Sequence, residues 1–517
     1  MKFIPYATLF CIIGLFSSCK TNTFEADIRI VNGTVYNGID EHASRVDIAI
    51  ADDKIIYVGE ANKTHIKATR TIDATGLIVS PGFIDPHTHA DRDLNNPDTS
   101  DNLPFVMQGV TTVVAGNDGD SFYPLDQYKK LYRQHGIGTN VILLVGHGTV
   151  RKIVLGESNR RATPSEVLKM QVLIQQEMDA GAFGMSSGLF YAPGSYSATD
   201  EVISLAEVVS RNDGIYDTHL RDESTYNIGL LAAIQEAVEI GKQARLPIHI
   251  SHIKCLGVDV WHQSDTIVKL IEKHRREGLK ITANQYPYEA SATSLKAAVV
   301  PRWAESGGMD SLFIRYKNPT LRARILKETK RNITRRGGPN KLLIVQANDG
   351  LLLGKNLSEV SSMLSLPAEA AVFELIKSGY IRVASFNMHM DDIQHFMQQN
   401  WVVTGSDGNT GHPRKYGSFP RKYARFVKKN QVISMADFIN KSSARSAEIF
   451  GIKDRGKIKE GYYADIIIFD PENFTDKADY TQPYQYATGL QFSIINGRLA
   501  VENGTFTGER LGRVLEK

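Results

Sequence analysis

Two patterns of apolar residues divide the chain. Near the N-terminus short apolar runs alternate with polar residues and break at turn signals. Ile28-Arg29-Ile30-Val31 runs into Asn32-Gly33, a strong hairpin dipeptide, and Val46–Ile50 alternates before Asp52-Asp53 turns it into Ile55–Gly59. The far C-terminus repeats the style in Ala464–Phe469 and Phe492–Gly497. This predicts that residues 26–79 and 450–517 pair into one small β-sandwich.

Residues 80–449 follow another rhythm. Apolar runs of five to eight residues recur at Val110–Ala115, Val141–Gly146, Gly181–Ser187, Gly214–His219, Pro247–His252, Ile281–Tyr286, Ile381–Phe386 and Trp401–Ser406, each followed by a helix-like stretch. Continuous apolar strands between helices imply a parallel sheet covered on both faces. About eight such units suit an α/β fold of the (β/α)8 TIM-barrel type, with the charge- and Gly-rich stretch 296–350 as an insertion. A doubly wound open sheet is the competing reading.

Composition narrows the classes. The chain has 517 residues, 42% hydrophobic and 23% charged, with a net charge of +3 from 60 basic and 57 acidic residues. A near-balanced charge without long runs of one sign argues against a nucleic-acid partner. Residues 1–19 read as a secretory signal: Lys2, then the mostly apolar Phe3–Phe16, then Ser17-Ser18-Cys19. The ending resembles a bacterial lipobox, in which Cys19 is lipidated. It predicts an exported lipoprotein of the bacterial cell envelope, tethered to the membrane through residues 20–25. Of three cysteines, Cys11 lies in the signal and Cys19 is the anchor, so Cys255 is alone in the folded body. No intramolecular disulfide is then expected, and stability must come from a large core.

In a (β/α)8 barrel the chemistry sits at the C-terminal ends of the strands, and polar residues of ligand type fall there. Ser80–His89 ends in His87-x-His89, and residues two apart on a strand point to one side, where both imidazoles can face one ion such as zinc. Asp118 follows Val110–Gly116, His219 and His252 end their runs, and Asp407 follows Trp401–Ser406. Each alone has a bland explanation, as a turn residue, a helix cap or a core histidine. Together, at successive strand ends, they converge on one axis.

These residues resemble the amidohydrolase superfamily and, within it, the N-acyl-D-amino-acid deacylases (D-aminoacylases). The carriers span nearly the whole mature chain. They include Pro81–His89, Gly109–Val114 with Gly116–Gly119, Gly184–Leu189 with Tyr191, Thr218–Glu223, Ser251–Lys254, Tyr286–Tyr288, Gly405–Gly408, His412–Arg414 and Gly461–Asp465. The resemblance implies a metal-bearing barrel with a β-sandwich built from both chain ends, and a zinc hydrolase acting on the amide of a small N-acyl-D-amino acid or of a dipeptide containing a D residue. It implies that His87 and His89 hold one metal position, His219 and His252 a tighter one, and that Asp407 is the catalytic carboxylate. Lys254, Tyr288, Ser294 and Arg414, with Tyr191, are the implied substrate contacts. The family usually has Cys where this chain has Asp118. A carboxylate is a harder ligand than a thiolate, which leaves open one ion or two, and a divalent metal other than zinc.

An amide is a poor electrophile and water a poor nucleophile, and a divalent ion improves both. Asp407 is expected to take the proton of water and deliver it to the leaving amine. Arg221 and Glu223 are candidates to orient His219. Gly184-Met185-Ser186-Ser187-Gly188 also fits the nucleophile elbow of serine hydrolases, but Leu189–Gly194 does not open the helix that motif requires. A cyclic amidase of the dihydroorotase or hydantoinase kind is disfavoured because no lysine stands at a strand end as a bridging ligand. A lipid-anchored binding protein without turnover is the remaining alternative, and the retained Asp407 argues against it.

Overall fold

The computed structural model describes Met1, residues 23–60 and residues 65–517. Residues 2–22, with nearly all of the signal, Cys19 and half of the tether, lie outside the described residues, and the other half, residues 23–25, belongs to the first strand, Thr23–Val31. Among the described residues no helix is long and apolar enough to cross a membrane.

The centre is built from parallel strands. Phe83–Asp85, Val110–Ala115 and Asn140–Leu143 form one sheet, and Val145–Gly146, Gly184–Gly188, Ile215–His219, Ile248–Ile250, Ile281–Gln285 and Val402–Thr404 form another. Asn140–Gly146 is one strand broken at Leu144, whose N–H still donates to Ala115 O, so it joins the two sheets. At the other end Thr88 bridges Gly408 in parallel, and the N–H groups of Ser406 and His87 both donate to Asp85 Oδ1. The last strand is thereby tied to the first.

Helices cover this core for local reasons. Pro164–Asp179 opens with Pro at its first position and a capping box between Thr163 and Glu166, which satisfies otherwise orphaned N–H groups. Leu230–Ala244 buries Leu230, Ala233, Ile234, Ala237, Val238 and Gly241, a stripe of helical period facing the sheet. At Gly241 an added Cβ would lie 2.2 Å from Ile248 Cδ1, so glycine sets how closely that helix approaches its strand.

Two further sheets use the chain ends. Thr23–Val31, Asp47–Ala51, Lys54–Gly59 and His65–Asp73 form a four-stranded sheet. Thr34–Val35 and Ile78–Pro81 join Ile466–Phe469, Leu490–Ile495, Arg498–Glu502 and Thr505–Phe506 in a six-stranded one. Ile28, Ile30, Ile48 and Ile50 from the first pack with Val79, Ile466, Ile468 and Ile494 from the second in one buried cluster.

Two expectations are corrected. Asn32-Gly33 makes no hairpin: Thr23–Val31 pairs within one sheet and Thr34–Val35 within the other, so the dipeptide carries the chain between sheets. Gly33 is needed because a Cβ there would lie 2.5 Å from Val79 Cγ2. Ile381–Phe386 is not one of the parallel strands. Arg382–Phe386 is the middle of an antiparallel sheet with Ala290–Ser294 and Leu342–Gln346, and the first parallel strand is Phe83–Asp85 instead. The excursion thus runs past 296–350 on both sides and has its own apolar cluster, from Leu295 to Val383.

Candidate metal centre

The strand ends bring six donors together. His87 Nε2 lies 3.4 Å from Asp118 Oδ1, His89 Nε2 lies 3.5 Å from Asp118 Oδ2, and Asp407 Oδ1 lies 3.9 and 3.3 Å from these two imidazoles. On the other side of the same carboxylate, His219 Nδ1 and His252 Nε2 stand 3.5 and 3.3 Å from Asp118 Oδ1 and 2.9 Å from each other. Two groups result: His87, His89, Asp118 and Asp407, and Asp118, His219 and His252. Donors about 2.0–2.1 Å from a tetrahedral ion stand roughly 3.3 Å apart, so these separations suit an ion in each group. Asp118 belongs to both. Neither ring nitrogen of fully buried His87 has a hydrogen-bond partner, nor does His219 Nε2. Buried polar atoms without partners are costly, and a metal would satisfy His87 Nε2.

The backbone here is held in an uncommon conformation. Asp118, His252 and Asp407 have φ of +57°, +34° and +49°, and such residues cluster where surrounding structure over-determines them. That structure is visible: Asp407 N–H donates to His87 O (2.9 Å), and His252 N–H donates to Asn284 Oδ1 (2.8 Å). Gly188 passes so close that a Cβ would lie 2.0 Å from Asp118 O. Beneath the centre, Asp217 accepts from Asn117 Nδ2 and Ser251 Oγ, both at 2.9 Å, and Asn117 Oδ1 accepts from Thr88 N–H.

Electrostatics follow from packing carboxylates and imidazoles together. Burial pushes His87 down to about 4. For His89 burial acts the same way, but Asp118 and Asp407 outweigh it and raise the ring to about 9. His252 also rises to about 9, where Asp118 and Glu223 outweigh burial and Lys254. Burial alone would raise Asp407, yet Arg414 and the histidines hold it well below the usual carboxylate range. Arg414 Nη2 lies 2.8 Å from Asp407 Oδ1.

The centre opens into a cavity of about 710 Å³. Tyr191, Lys254 and Ser294 line it, while Tyr288 and Arg414 do not. Tyr286 and Tyr288 diverge: Tyr286 faces the cavity, whereas Tyr288 lies under the Arg421 guanidinium and lines a separate cavity with Asp476 and Tyr480. Arg414 is buried behind Asp407, with its guanidinium over the Tyr286 ring. Lys254 Nζ donates to Glu223 Oε1 (2.5 Å) and stands 2.7 Å from His252 Nδ1. Glu223 reaches both histidines, 3.2 Å from His252 Nδ1 and 3.5 Å from His219 Nε2, as a ligand-orienting carboxylate does. Arg221 instead pairs with Glu236. Ser186 hydrogen-bonds Gly116 O and Gly119 N, and Ser187 bonds Tyr216 and Thr218, so neither serine has a histidine partner.

Arg336 and Arg382 are among the cavity residues that sequence reasoning missed. The signal for Arg382 was a guanidinium inside a run taken for a strand buried on both faces. Away from the cavity, His262, His389 and Asp391 form a more exposed group, where His389 Nδ1 accepts from Asp391 N–H and caps Met390–Gln398.

The chain is 30% identical to a D-aminoacylase of Alcaligenes xylosoxydans xylosoxydans, over 95% of this chain and 98% of that one. It is 32% identical to an N-acyl-D-aspartate deacylase of the same organism, over 95% of each chain. The structure superposes with a TM-score of 0.82 and 26% identity on an N-acyl-D-glutamate deacylase from Bordetella bronchiseptica complexed with zinc and a phosphonate inhibitor, covering 95% of this chain and all of that one. Residues 70–501 match a family described as the amidohydrolase family, and the chain belongs to it.

Proposed function

We propose that this protein is a zinc-dependent hydrolase of N-acyl-D-amino acids. The eight parallel strands are read as a closed (β/α)8 barrel, carrying a β-sandwich built from both chain ends. The observation that carries the reading is the pair of donor groups sharing Asp118, with Asp407 at the edge facing the cavity. The similarity to deacylases over nearly the full chain supports the substrate class.

Zinc held by His87, His89, Asp118, His219 and His252 would polarise the amide carbonyl and lower the pKa of water towards about 7. The remaining work belongs to the chain. Asp407, kept ionised by Arg414, accepts the proton of the attacking water and passes it to the leaving nitrogen, one carboxylate serving as base and then acid. Arg414 Nη2, 2.8 Å from that carboxylate, offsets its charge. Lys254, beside His252, stands where the α-carboxylate next to the scissile amide must lie, and Tyr191 and Ser294 wall the cavity.

The N-terminal segment supports an exported, lipid-anchored protein, with Cys19 as the modified residue and the catalytic body outside the cytoplasm. Metabolic labelling with a fatty-acid analogue, lost in Cys19→Ala, tests this. The activity is tested by amine release from paired N-acetyl-D- and N-acetyl-L-amino acids before and after chelation and zinc repletion. Zinc-dependent turnover of the D isomers alone is expected, and turnover of the L isomers or of cyclic amides instead overturns the assignment.

A further inference from the structure

Apart from Arg92, whose side chain is exposed, the basic groups around the cavity fall into two sets. Lys254 is paired with Glu223, Lys152 with Glu157 at 2.7 Å, and Arg414 behind the cavity with Asp407. Arg382 and Arg336 have no such partner. Both line the cavity, both are more than nine-tenths buried, and neither has a described carboxylate within 4.0 Å. Arg382 Nη1 donates only to Tyr380 OH (3.1 Å), and its buried Nε has no acceptor. Arg336 donates to Tyr226 OH, Ala298 O and Ser385 Oγ, all neutral. Buried guanidinium groups without a counter-charge are expensive, and a planar guanidinium matches a carboxylate bidentately.

We propose that Arg382 is a subsite for a second anionic group on the substrate, so that the enzyme selects N-acyl-D-amino acids with acidic side chains. This rests on the deacylase reading above. The position of the subsite decides which group it takes. An α-carboxylate is one carbon from the scissile nitrogen and stays near the metal centre, where Lys254 stands 2.7 Å from His252. Arg382 lies further out. The Tyr191 ring is 4.8 Å from that of His219, its hydroxyl accepts from Thr293 Oγ1 (3.4 Å), and the next residue, Ser294, is the cross-strand partner of Arg382. A side-chain carboxylate stands one carbon (aspartate) or two carbons (glutamate) further from the scissile nitrogen than the α-carboxylate, in the direction of that strand.

The test compares kcat/KM for N-acetyl-D-aspartate, N-acetyl-D-glutamate and N-acetyl-D-leucine in the zinc-loaded full-length protein, Arg382→Met and Arg382→Lys, with thermal melts as the folding control. The wild type should favour an acidic substrate at least tenfold. Arg382→Met should lower the acidic-to-neutral ratio about 10- to 100-fold, the range for losing hydrogen bonds to a charged group. The change should sit mainly in KM, and Arg382→Lys should recover part of it. If the Met variant fails to fold, the wild-type ratio and Arg382→Lys still decide. A wild type that favours N-acetyl-D-leucine, or a variant that lowers all three substrates equally, overturns the subsite and leaves the deacylase reading standing. No turnover of any D substrate overturns both.

Discussion

Gly188→Ala is a small change with a large expected consequence. Its Cβ would lie 2.0 Å from Asp118 O and 2.9 Å from the carbonyl carbon of the same residue. Carbon and carbonyl oxygen do not approach much closer than about 3.3 Å, so the Asp118 backbone must retreat by roughly 1.3 Å or the strand Gly184–Gly188 must. Neither moves freely. Ser186, in that strand, ties Gly116 to Gly119 on either side of Asp118. The overpacking costs about 1–3 kcal/mol. More of the damage falls on function, because Asp118 Oδ1 is the point shared by His87, His219 and His252. A displacement near 1 Å at a catalytic constellation costs on the order of 100-fold in rate. The assay is metal content by mass spectrometry together with kcat on the best N-acetyl-D substrate. Gly350→Ala is the control, since nothing lies within 4 Å of its added Cβ. Expected are at least a 30-fold fall in kcat or a fall in bound metal for Gly188→Ala, and neither for Gly350→Ala. Wild-type metal content and turnover in Gly188→Ala would refute the role given to Asp118.

Three other outcomes are expected. Asp407→Asn keeps shape while removing the base, and kcat should drop about 10²- to 10⁴-fold with the fold retained, read by circular dichroism and initial rates. Glu223→Ala frees the ring nitrogens of His219 and His252 that it faces, and zinc affinity measured by chelator competition should weaken about 10- to 100-fold. Glu201, bound to His147 and Arg151, tests pH linkage away from the metal. Burial alone would raise its carboxyl, but His147 and Arg151 outweigh burial and hold it below its ordinary value. A carboxyl depressed in the folded state contributes stability above its unfolded pKa and loses it as pH falls through the folded one. Glu201→Gln should therefore melt lower than wild type at pH 7, by about 3 kcal/mol, and the gap should close in acid. A gap that widens in acid contradicts this.

The donors were legible because each sits where a continuous apolar run stops. The strand interiors are mostly apolar, with Asp217 and His249 as exceptions, so His219, His252, Asp118 and Asp407 stood out at the ends against Val, Ile and Ala. Phe83–Asp85 is only three residues long and was visible mainly through the His87-x-His89 that follows it. The excursion was harder. Arg382–Phe386 is as apolar as its parallel counterparts because it is the central strand of a small sheet with its own core, and composition does not separate the two cases. Asn32-Gly33 carried the local signal of a hairpin, and tertiary pairing with two different sheets overrode it. Tyr288 and Arg414 were near the site in sequence, but side-chain direction decides what faces the cavity. Tyr288 turns away, and Arg414 spends its charge on Asp407.

Anomalous diffraction at the zinc edge from crystals of the zinc-loaded protein tests the central claim most directly. The account expects scattering peaks on both sides of the Asp118 carboxylate, one bounded by His87 and His89 and the other by His219 and His252. Ordered imidazoles at these positions with no peak among them, at full zinc saturation, would contradict it.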